Sequence, residues 1–260
     1  MAAVPGPVAF LMAGWYPGHM VATQKTIREL APFVSAFVEV VDARAPEATR
    51  HRPLRGWVGK TPLILVLNKA ELADPDTTEE WVSHYREQGF LAALPISALE
   101  PGSEAALKRL LARLLPAPRR LSVVGVPNVG KSTLLNRMVG RHRVATGAKP
   151  GLTRGPQWVR PGGGWEWLDL PGVLTPSKSK DWRLGALGVV ALEPEATDEV
   201  ALEIVGVVPE LARIGLSAFG RRRGCIARGG DVDLRRAAEA VITDFRRGKF
   251  GRLSLERPGA

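Results

Sequence analysis

The sequence has a single cysteine, Cys225, and cannot form an internal disulfide. Disulfides belong to oxidising compartments and are rare in the reducing cytosol. The chain is therefore expected in the cytoplasm. Because a free cysteine usually behaves as a small apolar side chain, Cys225 is expected to be buried rather than to act as a nucleophile or metal ligand.

A long apolar run is also missing. No stretch approaches the ~20 apolar residues that cross a bilayer as a helix, so no membrane partner is expected. Residues 1–14 are mildly apolar, but no Lys or Arg precedes their apolar part. This segment is therefore interpreted as a loose leader and not as a signal peptide. The 260 residues, 45% of them hydrophobic, suffice for one large domain and one smaller domain.

Acidic residues are too few to balance the basic ones. The chain has 36 Lys and Arg against 26 Asp and Glu, a net charge of +10. Residues 213–257 hold twelve of the basic residues and only five acidic ones. Arginine pairs well with phosphate oxygens, which favours a nucleic-acid partner for this stretch. A basic face kept for solubility remains the alternative.

A phosphate-binding loop occupies residues 125–132, Gly-Val-Pro-Asn-Val-Gly-Lys-Ser. The apolar residues 121–124 before it predict a strand, and residues 133–138 after it predict the start of a helix. Such a turn presents backbone amides and the positive end of the helix dipole to phosphates. We expect Lys131 to reach the outer phosphates and the Ser132 hydroxyl to hold Mg²⁺.

A base-recognition motif is indicated at residues 68–71, Asn-Lys-Ala-Glu, directly after a wholly apolar predicted strand at 61–67. It resembles the Asn-Lys-x-Asp motif of GTPases. A carboxylate there accepts hydrogen bonds from guanine N1–H and the 2-amino group, which adenine does not offer on that edge. Glu71 keeps the carboxylate but moves it out by one methylene. Guanine is favoured, and an ATP-using phosphate-loop protein remains the alternative.

Three further elements complete a GTPase set. Ser97-Ala98 follows a predicted strand at 91–96 and resembles the loop whose amide meets guanine O6. Thr153, in a loop flanked by Pro and Gly, resembles the second magnesium contact. Asp169 and Gly172 form an Asp-x-x-Gly element, expected to organise Mg²⁺ and to sense the terminal phosphate.

The order of these elements is rotated, because the base motif precedes the phosphate loop. A rotated order can still build one doubly wound, mostly parallel α/β sheet with all loops at one edge. We predict a circularly permuted GTPase domain at 15–175 and a smaller, all-helical, basic domain at 176–260. The clearest helix of the latter is predicted at 234–245.

On these motifs, and on the Trp-Tyr-Pro-Gly-His-Met segment at 15–20, the chain resembles the circularly permuted GTPases of the ribosome biogenesis GTPase A family. The resemblance implies a GTP hydrolase that is weak alone, stimulated by the large ribosomal subunit, and bound to ribosomal RNA through its C-terminal domain. It implies that His19 orients the attacking water, since Val173 occupies the place of the usual Gln; a structural cap at the helix N-terminus remains the alternative role for His19. It also implies K⁺ beside Asn128. A scaffold with incidental hydrolysis remains the alternative function.

The predicted site residues form three sets. The predicted nucleotide contacts are Asn68, Lys69, Glu71, Ser97, Ala98, Asn128, Val129, Gly130, Lys131, Ser132, Thr133 and Gly172, with Lys131 also catalytic. The predicted magnesium contacts are Ser132, Thr153 and Asp169. The predicted RNA contacts are Arg235, Arg236, Arg246, Arg247 and Lys249. The histidines other than His19, which are His51, His84 and His142, are expected at the surface, and the chain is expected to be a monomer off the ribosome.

Overall fold

The computed structural model describes residues 17–140, 157–170 and 181–259. Six strands form one sheet in the order β3-β2-β1-β4-β6-β5. The strands are β1 Ala36–Asp42, β2 Leu63–Asn68, β3 Ala92–Ile96, β4 Arg119–Val124, β5 Gln157–Gly162 and β6 Trp165–Asp169. All neighbours are parallel except the edge pair β5 and β6, which is an antiparallel hairpin.

The helices in the described ranges are α1 Pro17–Leu30, α2 Leu54–Val58, α3 Pro75–Glu87, α4 Ser103–Leu114, α5 Lys131–Val139, α6 Trp182–Ala186, α7 Pro194–Val207, α8 Pro209–Arg222 and α9 Leu234–Arg246. Two single 3₁₀ turns, Ala31–Phe33 and Ala70–Leu72, follow α1 and β2. None of these helices is long and apolar enough to cross a membrane. The predicted α/β class, with helices following the sheet, is confirmed.

The burial of the central strands explains the apolar run that predicted β2. Every residue of β1 and of β2 is buried. A strand covered on both faces has no polar side to alternate with, which is typical of parallel sheets. The chain winds from β1 through β2 to β3 on one side of β1, and β4 then pairs with the other side of β1. The sheet therefore has a winding switch between β1 and β4, where doubly wound folds bind ligands.

The predicted C-terminal helix at 234–245 is present as α9, and its apolar stripe is buried: Ala237, Ala238, Val241, Ile242 and Phe245. It packs against α7 and α8. The helix α8 is broken at Gly215, whose φ of 77° is not helical. The predicted boundary between 175 and 176 falls outside the described residues, so the division into domains stays a prediction.

The residues after α9 return to the sheet. We call residues 248–257 the C-terminal strap. The Leu253 amide donates to the carbonyl of Leu72 at 3.0 Å, and the Leu255 amide donates to that of Arg44 at 2.7 Å. The last part of the sequence thus lies against the loops that follow β1 and β2.

Cys225 is buried and unpaired, as expected for a small apolar side chain. The expectation that His51 lies at the surface is wrong, because the residue is only 1% exposed. Its amide donates to the Glu39 carboxylate at 2.8 Å, and its ring lies 4.5 Å from that of Trp57. The loop after β1 folds inward over a buried carboxylate, which the polar sequence of that loop did not indicate.

Candidate functional site

The phosphate-binding loop links β4 to α5 with two glycines that no other residue could replace. A side chain on Gly125, whose φ is 148°, would lie 2.4 Å from the Val40 carbonyl oxygen. One on Gly130, whose φ is 95°, would lie 2.2 Å from the Asn68 amide nitrogen. Because both positions lack a side chain, the loop can pack closely against β1 and β2. This places the loop at the winding switch between β1 and β4.

The first turn of α5 offers amide donors to an anion. The Leu134 amide makes the first helical hydrogen bond, to the Gly130 carbonyl at 2.9 Å. The amides of Ser132 and Thr133 precede it, at the positive end of the helix dipole, where phosphates bind favourably. Lys131 folds back over the loop, its ammonium donating to the Val126 carbonyl at 2.6 Å. The Ser132 side chain is exposed.

These groups open into a cavity of about 440 Å³. One end is built from the phosphate loop and α5, and the other from the loops that follow β2 and β3. The lining residues are Asn68, Lys69, Glu71, Leu72, Ala98, Leu99, Asn128, Gly130, Lys131, Ser132, Thr133 and Arg246. Nine of the twelve predicted nucleotide contacts are thus brought together on one wall or the other.

Asn68, the last residue of β2, joins three loops. Its side-chain nitrogen donates to the Val129 carbonyl at 2.7 Å, and its side-chain oxygen accepts from the Ala98 amide at 3.0 Å. The residue is 2% exposed. A buried amide whose oxygen and nitrogen are both engaged fixes the loops on either side of it, because leaving either partner unpaired is costly.

A second link runs from β1 to the phosphate loop through Lys69. Its ammonium lies 2.9 Å from an Asp42 carboxylate oxygen and 2.7 Å from the Asn128 carbonyl. Arg44 forms two more hydrogen bonds with the same carboxylate, at 2.9 and 2.8 Å. Burial alone would raise the pKa of Asp42, but the Arg44 and Lys69 cations more than offset it and hold the pKa well below its ordinary value. Asp42 is therefore a permanent anion that anchors Lys69.

Glu71 presents an unsatisfied acceptor. It lies in the 3₁₀ turn Ala70–Leu72, and its Oε2 atom is buried without a hydrogen-bond partner among the described residues. Buried polar atoms are almost always paired, so the orphaned oxygen of a residue that lines the cavity indicates a missing donor. Leu99, which is 70% exposed, adds an apolar surface at the same end. Together they suit a flat ring with N–H donors on its edge.

Two predicted magnesium contacts lie on elements that meet at one edge of the sheet. Asp169 ends β6 and pairs in register with Val123 of β4, one residue before the end of that strand. The register therefore puts the backbone of Asp169 at the sheet edge where the phosphate loop begins, and the structure does not describe its side chain. The Ser132 hydroxyl at the start of α5 is an oxygen ligand of the kind that Mg²⁺ prefers. Thr153, the third predicted magnesium contact, lies outside the described residues.

Comparison with known proteins agrees with this geometry. Residues 120–204 match the family model described as "50S ribosome-binding GTPase". The chain is 35% identical to the ribosome biogenesis GTPase A of Thermotoga maritima over 94% of each chain. It is 31% identical to that of Bacillus pumilus, covering 94% of this chain and 98% of the relative.

The chain belongs to the ribosome biogenesis GTPase A family. The GDP-bound structure of YlqF from T. maritima matches with a TM-score of 0.72 at 31% identity, over 90% of this chain and 99% of the other. The GNP-bound YlqF from the same organism matches with a TM-score of 0.69, over 92% and 99%. The predicted family, the predicted GTPase class and the predicted fold are confirmed.

Within this GTPase, two of the predicted nucleotide contacts that the structure describes do not line the cavity. Val129 and Ser97 are buried, Val129 next to the Asn68 amide and Ser97 directly before Ala98. Gly172 lies outside the described residues. The backbone of His19 belongs to the first turn of α1, and the structure does not describe its side chain. The roles assigned to these residues stay predictions.

The predicted RNA contacts divide into two groups. All five are exposed, and the first group is not part of the cavity lining: Arg235, Arg236, Arg247 and Lys249, of which Lys249 pairs with Asp244 at 2.8 Å. The second is Arg246, whose guanidinium donates to the carbonyls of Gly185 and Ala186 at 2.6 and 3.0 Å. Arg246 also lines the cavity, so the helical region contributes a cation to the GTPase site.

Sequence reasoning missed Asp42, Leu99 and the contribution of the strap. Asp42 could have been found, because a charged residue that ends an apolar strand of a parallel sheet lies at the loop edge. No local signal marks Leu99, which is an ordinary apolar residue after Ser-Ala. The strap is distant in sequence from the loops that it touches, so only the tertiary fold reveals it.

Proposed function

We propose that the cavity binds GTP and GDP, and that the protein hydrolyses GTP as an assembly factor for the large ribosomal subunit. The observation that carries the nucleotide assignment is that Glu71, which has an orphaned carboxylate oxygen, lines the same cavity as the phosphate loop. In the proposed complex, the carboxylate accepts from guanine N1–H and the 2-amino group. The Ala98 amide donates a hydrogen bond to the Asn68 side chain, and this bond fixes the loop that covers guanine O6 in the proposed complex.

At the other end, the amides of the first turn of α5 and the Lys131 ammonium bind the phosphates. Lys131 now donates to a backbone carbonyl of the loop, and a phosphate oxygen would replace that neutral partner with a charged one. Ser132, with Asp169 and Thr153, would hold Mg²⁺, which neutralises charge on the phosphates when it is bound. We assign Gly172 to sensing of the terminal phosphate, and K⁺ to the vicinity of Asn128.

His19 is proposed to orient the attacking water. Val173 follows Gly172, and an apolar side chain cannot hydrogen-bond to water there. His19 lies at the start of α1, where a side chain can be carried on the first turn of a rigid helix. Weak hydrolysis by the protein alone and stimulation by the subunit follow if that turn is placed over the cavity only when the subunit is bound.

The ribosomal assignment rests on the relatives and on charge. The curated relatives are named ribosome biogenesis GTPase A, and the matching family model is described as ribosome-binding. We propose that the exposed basic residues Arg235, Arg236, Arg247 and Lys249 contact ribosomal RNA phosphates. Arg246, the fifth predicted RNA contact, lies beside the proposed nucleotide site instead. Such contacts bind backbone without reading bases. The proposed setting is the cytoplasm, and the protein is proposed to be a monomer off the ribosome.

The guanine assignment predicts a change of base preference in Glu71→Gln. The wild-type protein should prefer GTP to ATP, and the variant should lose about 10-fold or more of its GTP affinity, because an amide cannot accept both guanine donors. The same amide can donate to the 2-carbonyl of xanthine, so XTP should bind the variant better than the wild type. Titration calorimetry with GTP, ATP and XTP measures this, with Glu87→Gln on α3 as the matched control. Equal GTP and ATP affinities in the wild type would contradict the assignment.

The water-orienting role predicts that His19→Ala lowers subunit-stimulated turnover by about 10-fold or more, the usual contribution of a positioned acid–base group. GDP affinity should stay unchanged. Single-turnover hydrolysis with and without large subunits checks both statements, with His84→Ala as the control, since His84 lies on α3 away from the cavity lining. A parallel loss of GDP affinity would make His19 structural. Unchanged turnover would favour a scaffold with incidental hydrolysis.

The RNA assignment predicts steep salt dependence of binding to large ribosomal subunits. Replacing Arg235 and Arg247 together by Gln should reduce the slope of log K against log salt concentration by about 2, because each phosphate contact releases about one counterion. The control is Arg113→Gln, an exposed arginine of α4 in the sheet domain. A shallow wild-type slope, or the same loss in the control, would leave the basic stretch as a solvated surface only.

A further inference from the structure

The C-terminal strap makes a compact set of contacts with the turn that carries Glu71. The Arg252 guanidinium donates through Nε to the Ala73 carbonyl at 2.8 Å and through Nη2 to the Ala70 carbonyl at 3.2 Å. The next residue, Leu253, donates its amide to the Leu72 carbonyl at 3.0 Å. Three successive hydrogen bonds from the strap therefore span the turn from its first residue to the residue after it.

That turn has little to hold it in shape by itself. It is a single 3₁₀ turn, Ala70–Leu72, with no side-chain cap. It begins after Lys69, which has a left-handed backbone with φ of 60°. Short 3₁₀ segments have poor hydrogen-bond geometry, and a left-handed non-glycine residue persists only where its surroundings impose it. The direction in which Glu71 points thus depends on groups outside the turn.

We infer that Arg252 is a positioning residue for guanine selectivity: by donating to the carbonyls of Ala70 and Ala73, it holds the turn in the shape that places Glu71 on the cavity wall. The inference rests on the proposed function, because it supposes that guanine is what Glu71 reads.

The strap has other anchors, so the effect of Arg252 can be isolated. The Leu255 amide donates to the Arg44 carbonyl at 2.7 Å. The Glu256 carboxylate accepts from the Ala48 amide at 3.2 Å and pairs with Arg183 at 2.6 Å. These contacts lie beyond Arg252 along the chain and do not involve the turn. Loss of the Arg252 guanidinium should therefore loosen the turn, which keeps only the Leu253 bond, while the strap stays attached to the loops after β1 and β2.

The test separates the base from the phosphates. GDP needs both ends of the cavity, whereas inorganic tripolyphosphate needs only the phosphate loop. In Arg252→Ala, GDP affinity should fall about 5- to 30-fold, the size expected for lost hydrogen bonds to a positioning group. Tripolyphosphate affinity should change less than about twofold, within the small effect of substitutions away from a site. The preference for GTP over ATP should fall by the same factor as GDP affinity.

Two further variants keep the outcome interpretable. Arg252→Lys retains one cationic donor and should recover part of the loss. The control is Arg257→Ala in the same strap, because that side chain is exposed and pairs only weakly with Glu80, at 4.0 Å. If Arg252→Ala does not fold, Arg252→Lys carries the test: its GDP affinity should fall by a smaller factor while its tripolyphosphate affinity stays unchanged, and an unchanged GDP affinity would overturn the inference.

Unchanged GDP affinity in Arg252→Ala would overturn the inference. Equal losses of GDP and tripolyphosphate would also overturn it, because they would show general damage to the site. Failure of the proposed function looks different: the wild-type protein itself would then show no preference for GTP over ATP, and no variant would be needed to see it.

Discussion

The nucleotide site depends on one buried side chain, the amide of Asn68. It lies at the end of β2 and joins the phosphate loop, through the Val129 carbonyl, to the loop after β3, through the Ala98 amide. The partners are 61 and 30 residues away in the chain. Both ends of the cavity therefore meet at a residue that solvent does not reach, and a shift of either loop must break a buried hydrogen bond.

The other links extend this arrangement outward. Lys69, the next residue, ties the phosphate loop to the permanent anion Asp42 of β1. The residues after it form the turn that the strap clasps through Arg252. The strap continues α9, and Arg246 at the end of α9 lines the same cavity. The permuted order thus lets the C-terminal region close over loops that belong to the first part of the chain.

The sequence predicted the centre of the sheet well because an apolar run such as residues 63–67 is typical of a strand buried on both faces. The phosphate loop was equally clear, since Gly125 and Gly130 are required by contacts with β1 and β2. Side-chain environments that tertiary packing decides could not be predicted. His51 is buried because a loop folds onto Glu39, and Arg246 faces the cavity because α6 ends beside it. The local sequence around His51 and Arg246 does not indicate either environment.

The most direct measurement is GDP binding by titration calorimetry to Asn68→Ala, with the free energy of unfolding measured in parallel. The account predicts that GDP affinity falls about 10- to 100-fold, because the two hydrogen bonds that hold the loops together are lost and each contributes about 1 kcal/mol or more once its partner is left buried. Asn68→Asp, which can still accept from Ala98 but cannot donate to Val129, should show a loss of at least similar size. GDP affinity within twofold of the wild type, in a variant that remains folded, would contradict the central place given to Asn68.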